Sequence, residues 1–196
     1  MKNCMKNFSV ILFLAVLAAG CSSAPSRFYT LNSTATGDGA TKSDLAVIVG
    51  PVSIPAEVDR PQFTVQVAPN RVSVDEFNRW AAPLGDNIAR VVAGDLSVLL
   101  GTPHVAALPA ADFKTAYRVV INIQRFETVP GKSVLIDAVW VVRLPSGGAA
   151  QSGRTVASET VSDDSYDSLA AAHSRALAKV SSDIAAAIRA AADMKP

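Results

Sequence analysis

The chain has 196 residues, 49% of them hydrophobic, 6% aromatic and 18% charged, with a formal net charge of +1. That length and apolar content fit one globular domain and argue against disorder or a coiled coil. A charge so close to zero, with no Lys/Arg cluster and no interleaved aromatic run, removes the electrostatic footprint of a nucleic-acid binder, so nucleic acid is not expected as a partner.

At the N-terminus, Lys2 and Lys6 precede an apolar run from Phe8 to Ala19. It is too short to span about 30 Å of hydrocarbon as a settled helix, and residues 1–20 read as a signal peptide. The segment ends Leu17-Ala18-Ala19-Gly20-Cys21, which resembles a bacterial lipobox, with Ala18 where Leu is usual. Small residues admit such a peptide to a lipoprotein signal peptidase, and the Cys21 thiol accepts diacylglycerol; cleavage by an ordinary signal peptidase is the alternative. The mature chain then begins at Cys21, and the loss of Lys2 and Lys6 turns its net charge from +1 to −1. Cys4 leaves with the signal and Cys21 is consumed by lipid, so no thiol is left for a disulfide, a zinc site or a nucleophile. Diacylglycerol and an N-acyl chain on Cys21 are the expected covalent groups, with no other cofactor and no metal. One acyl chain holds a protein marginally, whereas three hold it durably. Ser22, standing where Asp would retain a lipoprotein at the inner membrane of enteric-type bacteria, directs the sorting expectation to the periplasmic face of the outer membrane. The inner membrane or a Gram-positive surface is the alternative.

Residues 21–26 form a short tether and 27–196 a single periplasmic domain. Arg27 to Leu31 alternates as a first strand, and residues 32–44, with no large apolar side chain, read as a flexible linker or exposed loop. Leu45 to Val49 is a strand buried on both faces, broken by Gly50-Pro51 and resumed by Val52 to Ile54. Gln62 to Ala68 is a strand with Phe63, Val65 and Val67 on one face, and a Pro69-Asn70 turn leads to Val72-Ser73-Val74 in a hairpin. After Pro83, the residues Leu84, Ile88, Val91, Val92, Leu96, Leu99 and Leu100 recur at helical spacing until Gly101. Tyr117 to Phe126 and Val134 to Leu144 are strands joined near Pro130-Gly131-Lys132, the second covered on both faces; a turn starts at Ser146-Gly147-Gly148, and Arg154 to Ser162 is an edge strand. A final helix, capped by Asp167 or Ser168, carries the stripe Leu169, His173, Leu177, Val180, Ile184 and Ile188. The fold class is α+β: an antiparallel-rich or mixed sheet with two long amphipathic helices packed on one face.

Catalytic signals are missing. There is no G-x-S-x-G elbow, phosphate loop, G-x-G-x-x-G or His-x-x-x-His pair. His173 lies on an apolar stripe and reads as a core histidine with one hydrogen bond; His104 has no neighbouring carboxylate, Cys or Ser pattern. Asp163-Asp164 reads as a complement to the dipole of the final helix.

Two segments are distinctive: Val49 to Gln62, which contains Asp59-Arg60-Pro61-Gln62, and Arg79-Trp80-Ala81-Ala82-Pro83-Leu84. With the lipobox and Phe28-Tyr29-Thr30-Leu31, they resemble the PqiC-type family of ABC-transport auxiliary lipoproteins over essentially the whole mature chain. The resemblance implies a non-catalytic docking component beside an MCE-domain protein and an ABC permease, in a system moving lipids between inner and outer membranes and supporting envelope integrity. The alternatives are a stand-alone lipid carrier with its own apolar cavity and, disfavoured by the missing nucleophile and base, a periplasmic hydrolase. Arg60, Arg79 and Trp80 are the candidate partner-binding residues. Arg60 points to a partner or pairs with Asp59 or Glu57; Trp80 is an N-terminal staple on the core or an exposed hot spot. Symmetric partners favour symmetric binders, so a homo-oligomeric ring is the expected assembly.

Overall fold

The computed structural model describes residues 24–37, 43–108, 116–147 and 151–193. The signal peptide, Cys21, Ser22 and Gly148 lie outside the described residues.

Eight strands and two helices follow in the order β1 (Arg27–Tyr29), β2 (Val47–Ser53), β3 (Gln62–Ala68), β4 (Arg71–Trp80), α1 (Leu84–Leu100), β5 (Val105–Ala107), β6 (Tyr117–Val129), β7 (Ser133–Arg143), β8 (Gln151–Thr160) and α2 (Tyr166–Asp193) among the described residues. They build two sheets where one was expected, a three-stranded sheet ordered β1-β4-β3 and a five-stranded sheet ordered β5-β2-β6-β7-β8. Both are mixed. β1 runs parallel to β4, and β2 runs parallel to both β5 and β6, while β3–β4, β6–β7 and β7–β8 are antiparallel. Of the two expectations the mixed sheet holds and the antiparallel-rich one does not, since half of the strand pairings are parallel, and parallel neighbours need long crossovers. The hairpin and α1, lying between β2 and β5, supply one.

β2 runs on through Gly50-Pro51, where the register with β6 shifts between Val49 and Val52 and Gly50 takes φ 126°. A bulge tolerates both a proline without an N–H and a positive φ. β6 and β7 bury one face: Val119, Ile121 and Ile123 on the first, Val134, Ile136, Ala138, Trp140 and Val142 on the second. Both helices pack on each other and over this sheet, α1 against β2 and β5, α2 against β7 and β8. β7 is therefore not covered on both faces. Val139 is 36% exposed and Leu135 and Val141 are half-buried, so its continuous apolar run comes from an open outer face that is itself partly apolar.

The first helix starts after Pro83 and ends at Gly101, whose φ of 61° lets the chain leave while Thr102 N–H reaches the Ser97 carbonyl. The second is capped by Ser165, ahead of the expected Asp167 or Ser168. Ser165 Oγ accepts the Ser168 N–H at 3.2 Å, and Asp163 Oδ1 takes the Ser165 N–H at 2.8 Å. Hydrogen bonds from Ser165 hold the Asp163 carboxyl down to about 2.

Part of the expected linker is pinned. Asp95, fully buried in α1, accepts hydrogen bonds from Ser33 Oγ at 2.6 Å and from the N–H groups of Thr34 and Ala35, both at 3.0 Å, and from Ser181 Oγ of α2 at 3.0 Å. A glycine at 94 makes room, since a Cβ there would lie 3.1 Å from the Ser33 Cβ. Across the β7–β8 pair the Trp140 indole lies over Gly153, where a Cβ would meet the ring at 2.3 Å, and its Nε1–H donates to Thr155 Oγ1, which donates in turn to Asp183.

Candidate functional site

The two distinctive sequence segments meet. A tight turn follows β2, with the N–H groups of Val58 and Asp59 donating to the Pro55 carbonyl and Val58 plugging the core. The turn delivers Asp59-Arg60-Pro61 beside the end of β4, where the Trp80 N–H donates to the Pro61 carbonyl and the Ala81 N–H to the Tyr29 carbonyl. Between the segments 59–61 and 80–84 lies an open groove of about 440 Å³. Its floor is laid by strand pairing and a helix start, so its shape is preset rather than formed by mobile loops.

Arg60 is exposed at the rim and makes no ion pair among the described residues; neither Asp59 nor Glu57 neutralises it. The internal pairing weighed from the sequence is therefore not what the structure holds. Trp80 is 4% exposed and not available as a surface hot spot. Its ring stacks on Phe63 at 4.0 Å and 27° and meets Phe126 edge-on at 6.2 Å. Tyr166 extends this column from Phe63, at 5.1 Å, and His173 from Phe126, at 3.9 Å, so one aromatic chain joins β3, β4, β6 and α2.

Arg79 is outside the groove. Its Nε donates to the Glu76 carbonyl at 2.8 Å and its guanidinium stands 3.7 Å from the Glu76 carboxylate, bracing a bulge where the β3–β4 register jumps between Gln62 and Phe63. Asp75 stitches this bulge, taking the N–H groups of Phe77 at 2.8 Å and Asn78 at 2.9 Å, the Asn78 side chain at 3.0 Å and the Tyr166 hydroxyl at 2.8 Å. Burial pushes the Asp75 carboxyl up, but these donors outweigh it and hold the group at about 2. Burial, then the hydrogen bond to Asp75, raises the Tyr166 phenol.

His173 is fully buried, with Nε2 2.8 Å from Thr128 Oγ1 and Nδ1 without a partner. Burial pushes its pKa down to about 3, which keeps it neutral at physiological pH. Among the described residues no three His, Cys, Asp or Glu side chains converge as a metal site. No helix among them is long and apolar enough to cross a membrane.

Asp95 and Asp75 were not foreseen. For Asp95 a signal exists: it stands three residues after Val92 and four after Val91, an acid on an apolar stripe. Asp75 carries no comparable mark, because its donors come from a bulge and a distant helix.

A family model described as ABC-type transport auxiliary lipoprotein component matches residues 29–185. Among solved structures, a Xanthomonas campestris protein of the DUF330 family aligns with TM-score 0.69 and 19% identity, over 85% of this chain and 98% of its own. An uncharacterized protein aligns with TM-score 0.68 and 18% identity, over 84% and 99%. At such identities these likenesses show the fold. None of the curated proteins matches. With most of its length under the family model, the chain belongs to the ABC-type transport auxiliary lipoprotein components.

Proposed function

We propose that this protein is anchored through a lipidated Cys21, sorted by Ser22 to the periplasmic face of the outer membrane, and docks an MCE-domain partner of an ABC-type system that moves lipid between the membranes. The observation that carries the reading is the groove: the two segments most typical of the family resemblance are separated by 16 residues in sequence and form its walls, with an unneutralised Arg60 at the rim. A preset concave surface with one free guanidinium binds an acidic or carbonyl-rich partner segment. In this reading residues 27–196 act as one non-catalytic domain, and copies assemble into a ring that multiplies individually weak contacts.

The test is photo-crosslinking in intact cells from a probe at Ala82, in the groove wall, with and without Arg60→Glu. A crosslink to an MCE-domain protein that weakens at least about tenfold on charge reversal, equivalent to about 1.4 kcal/mol, with an unchanged thermal melt, supports docking at the groove. Crosslinks indifferent to Arg60→Glu would remove the groove from the interface.

A further inference from the structure

The three-stranded sheet carries two large exposed aromatics that the groove does not use, one on its edge strand β1 and one on its central strand β4. Phe28 on β1 is 65% exposed, and Phe77 in the β4 bulge is 43% exposed. The β1–β4 register sets Phe28 directly opposite Arg79, and Phe77 lies two residues before Arg79 on the same strand. Neighbouring Arg27 is exposed and makes no ion pair among the described residues. Scattered apolar side chains on a surface are ordinary, but two phenylalanines around a braced arginine form a patch. The bulge presents Phe77 rigidly, because Asp75 holds that residue's own N–H at 2.8 Å. Keeping such a ring in water has a standing cost that an occupant relieves.

Chain length identifies the occupant. Seven residues separate Cys21 from Phe28, so at roughly 3.4 Å per residue the patch stays within about 24 Å of the anchored cysteine. That reach is less than the hydrocarbon thickness of one bilayer, about 30 Å. We infer that Phe28, Phe77 and Arg27 are the face on which the domain rests against the bilayer holding its anchor, the rings at the boundary between headgroups and acyl chains and the Arg27 guanidinium at lipid phosphate. This inference rests on the lipidation of Cys21 proposed above.

Depth-dependent fluorescence tests it. The full-length lipidated protein is reconstituted into phosphatidylethanolamine/phosphatidylglycerol vesicles with or without bromine on the acyl chains. Phe28→Trp and Phe77→Trp are the probes, and Val156→Trp, at a 57% exposed position on the outer face of the other sheet, is the control. Native Trp80 and Trp140 are buried and give a constant background. Probes at 28 and 77 should emit at shorter wavelength on vesicles and lose intensity to bromine, while the control does neither. Both replace one exposed ring by another, and circular dichroism melts verify the fold of each separately. If the protein floats with the vesicles but both probes are as indifferent to bromine as the control, the resting face is wrong and the anchor survives. A blue shift that grows with protein density and ignores bromine assigns the patch to a second copy and also overturns the inference. If the wild-type protein fails to float, the Cys21 anchor itself falls, and the inference with it.

Discussion

Replacing Asp95 by alanine removes the carboxylate that clasps the incoming chain to both helices. Three donors lose their acceptor: the Ser33 hydroxyl at 2.6 Å and the N–H groups of Thr34 and Ala35, both at 3.0 Å. The fourth, the Ser181 hydroxyl, has a second acceptor in the Leu177 carbonyl at 2.9 Å and stays satisfied. Ser33 and Thr34 are exposed residues, so water makes good part of what they lose. At about 1 kcal/mol net for each of three bonds, the loss comes to about 3 kcal/mol. For a domain of this size that lowers Tm by roughly 6–12 °C. Asp95→Asn keeps one carbonyl oxygen for the chain and offers its amide to Ser181, whose oxygen accepts while its proton goes to Leu177; about 1 kcal/mol is the expected loss. Urea unfolding followed by circular dichroism measures both, and amide exchange over residues 31–36 should accelerate in the alanine variant under native conditions. An alanine variant within about 0.5 kcal/mol of wild type, or an asparagine variant as damaged as alanine, refutes the clasp.

Gly153→Ala drives a Cβ to 2.3 Å from the Trp140 ring and should cost about 1–3 kcal/mol; combined with Trp140→Phe the loss should be less than additive in thermal melts, and strict additivity contradicts the close approach. His173 has a folded pKa near 3 against 6.5 for the free side chain. Below about pH 6.5 the unfolded chain therefore takes up a proton that the native chain refuses, and stability present above that pH falls by about 1.4 kcal/mol per unit as pH drops toward 3. His173→Gln should flatten that slope between about pH 6 and pH 5 in urea titrations, above the range in which Asp75 and Asp163 of the unfolded chain take up protons; an unchanged slope places the loss elsewhere. Cys21→Ala should leave an uncleaved or soluble precursor that takes no palmitate label, since no other thiol in the mature chain accepts the lipid; normal outer-membrane fractionation and labelling of this variant would count against the anchor.

Much of the fold was legible because its punctuation is local. Pro83 and Gly101 bound α1 where chain stiffness and a positive φ demand them, and β3 runs over the residues its alternation marks. Which strands become neighbours was not legible, because periodicity shows that a face is buried and not what lies beside the edge. β1 sits parallel to β4 from 51 positions away, a pairing fixed by the Ala81 and Tyr29 backbones and the aromatic column. The three-residue strand β5 has no mark in the sequence, since its small residues carry no alternation to detect. The open outer face of β7 was misread for a related reason: valines half-covered by their own sheet look in sequence like valines covered by a helix. Of the candidate site, the two segments were identifiable as unusual, while their meeting in a groove required the register of β1, β3 and β4. Trp80 and Arg60 looked equivalent along the chain and proved opposite in burial.

Trp80 belongs to two structures at once, the aromatic column that ties the small sheet to α2 and the groove wall. Selection acting on these neighbouring residues therefore has different freedoms. Arg60 can drift with the chemistry of whatever it meets, because no ion pair among the described residues depends on its charge. Trp80 cannot follow, since any change that reshapes the wall there also loosens Phe63 and Phe126. Among variants isolated for lost docking, those at Trp80 should be scarce in the cell and those at Arg60 abundant but idle, so protein level alone sorts the two kinds. A lineage that changes partners is then expected to rewrite the rim of the groove while leaving its back wall alone.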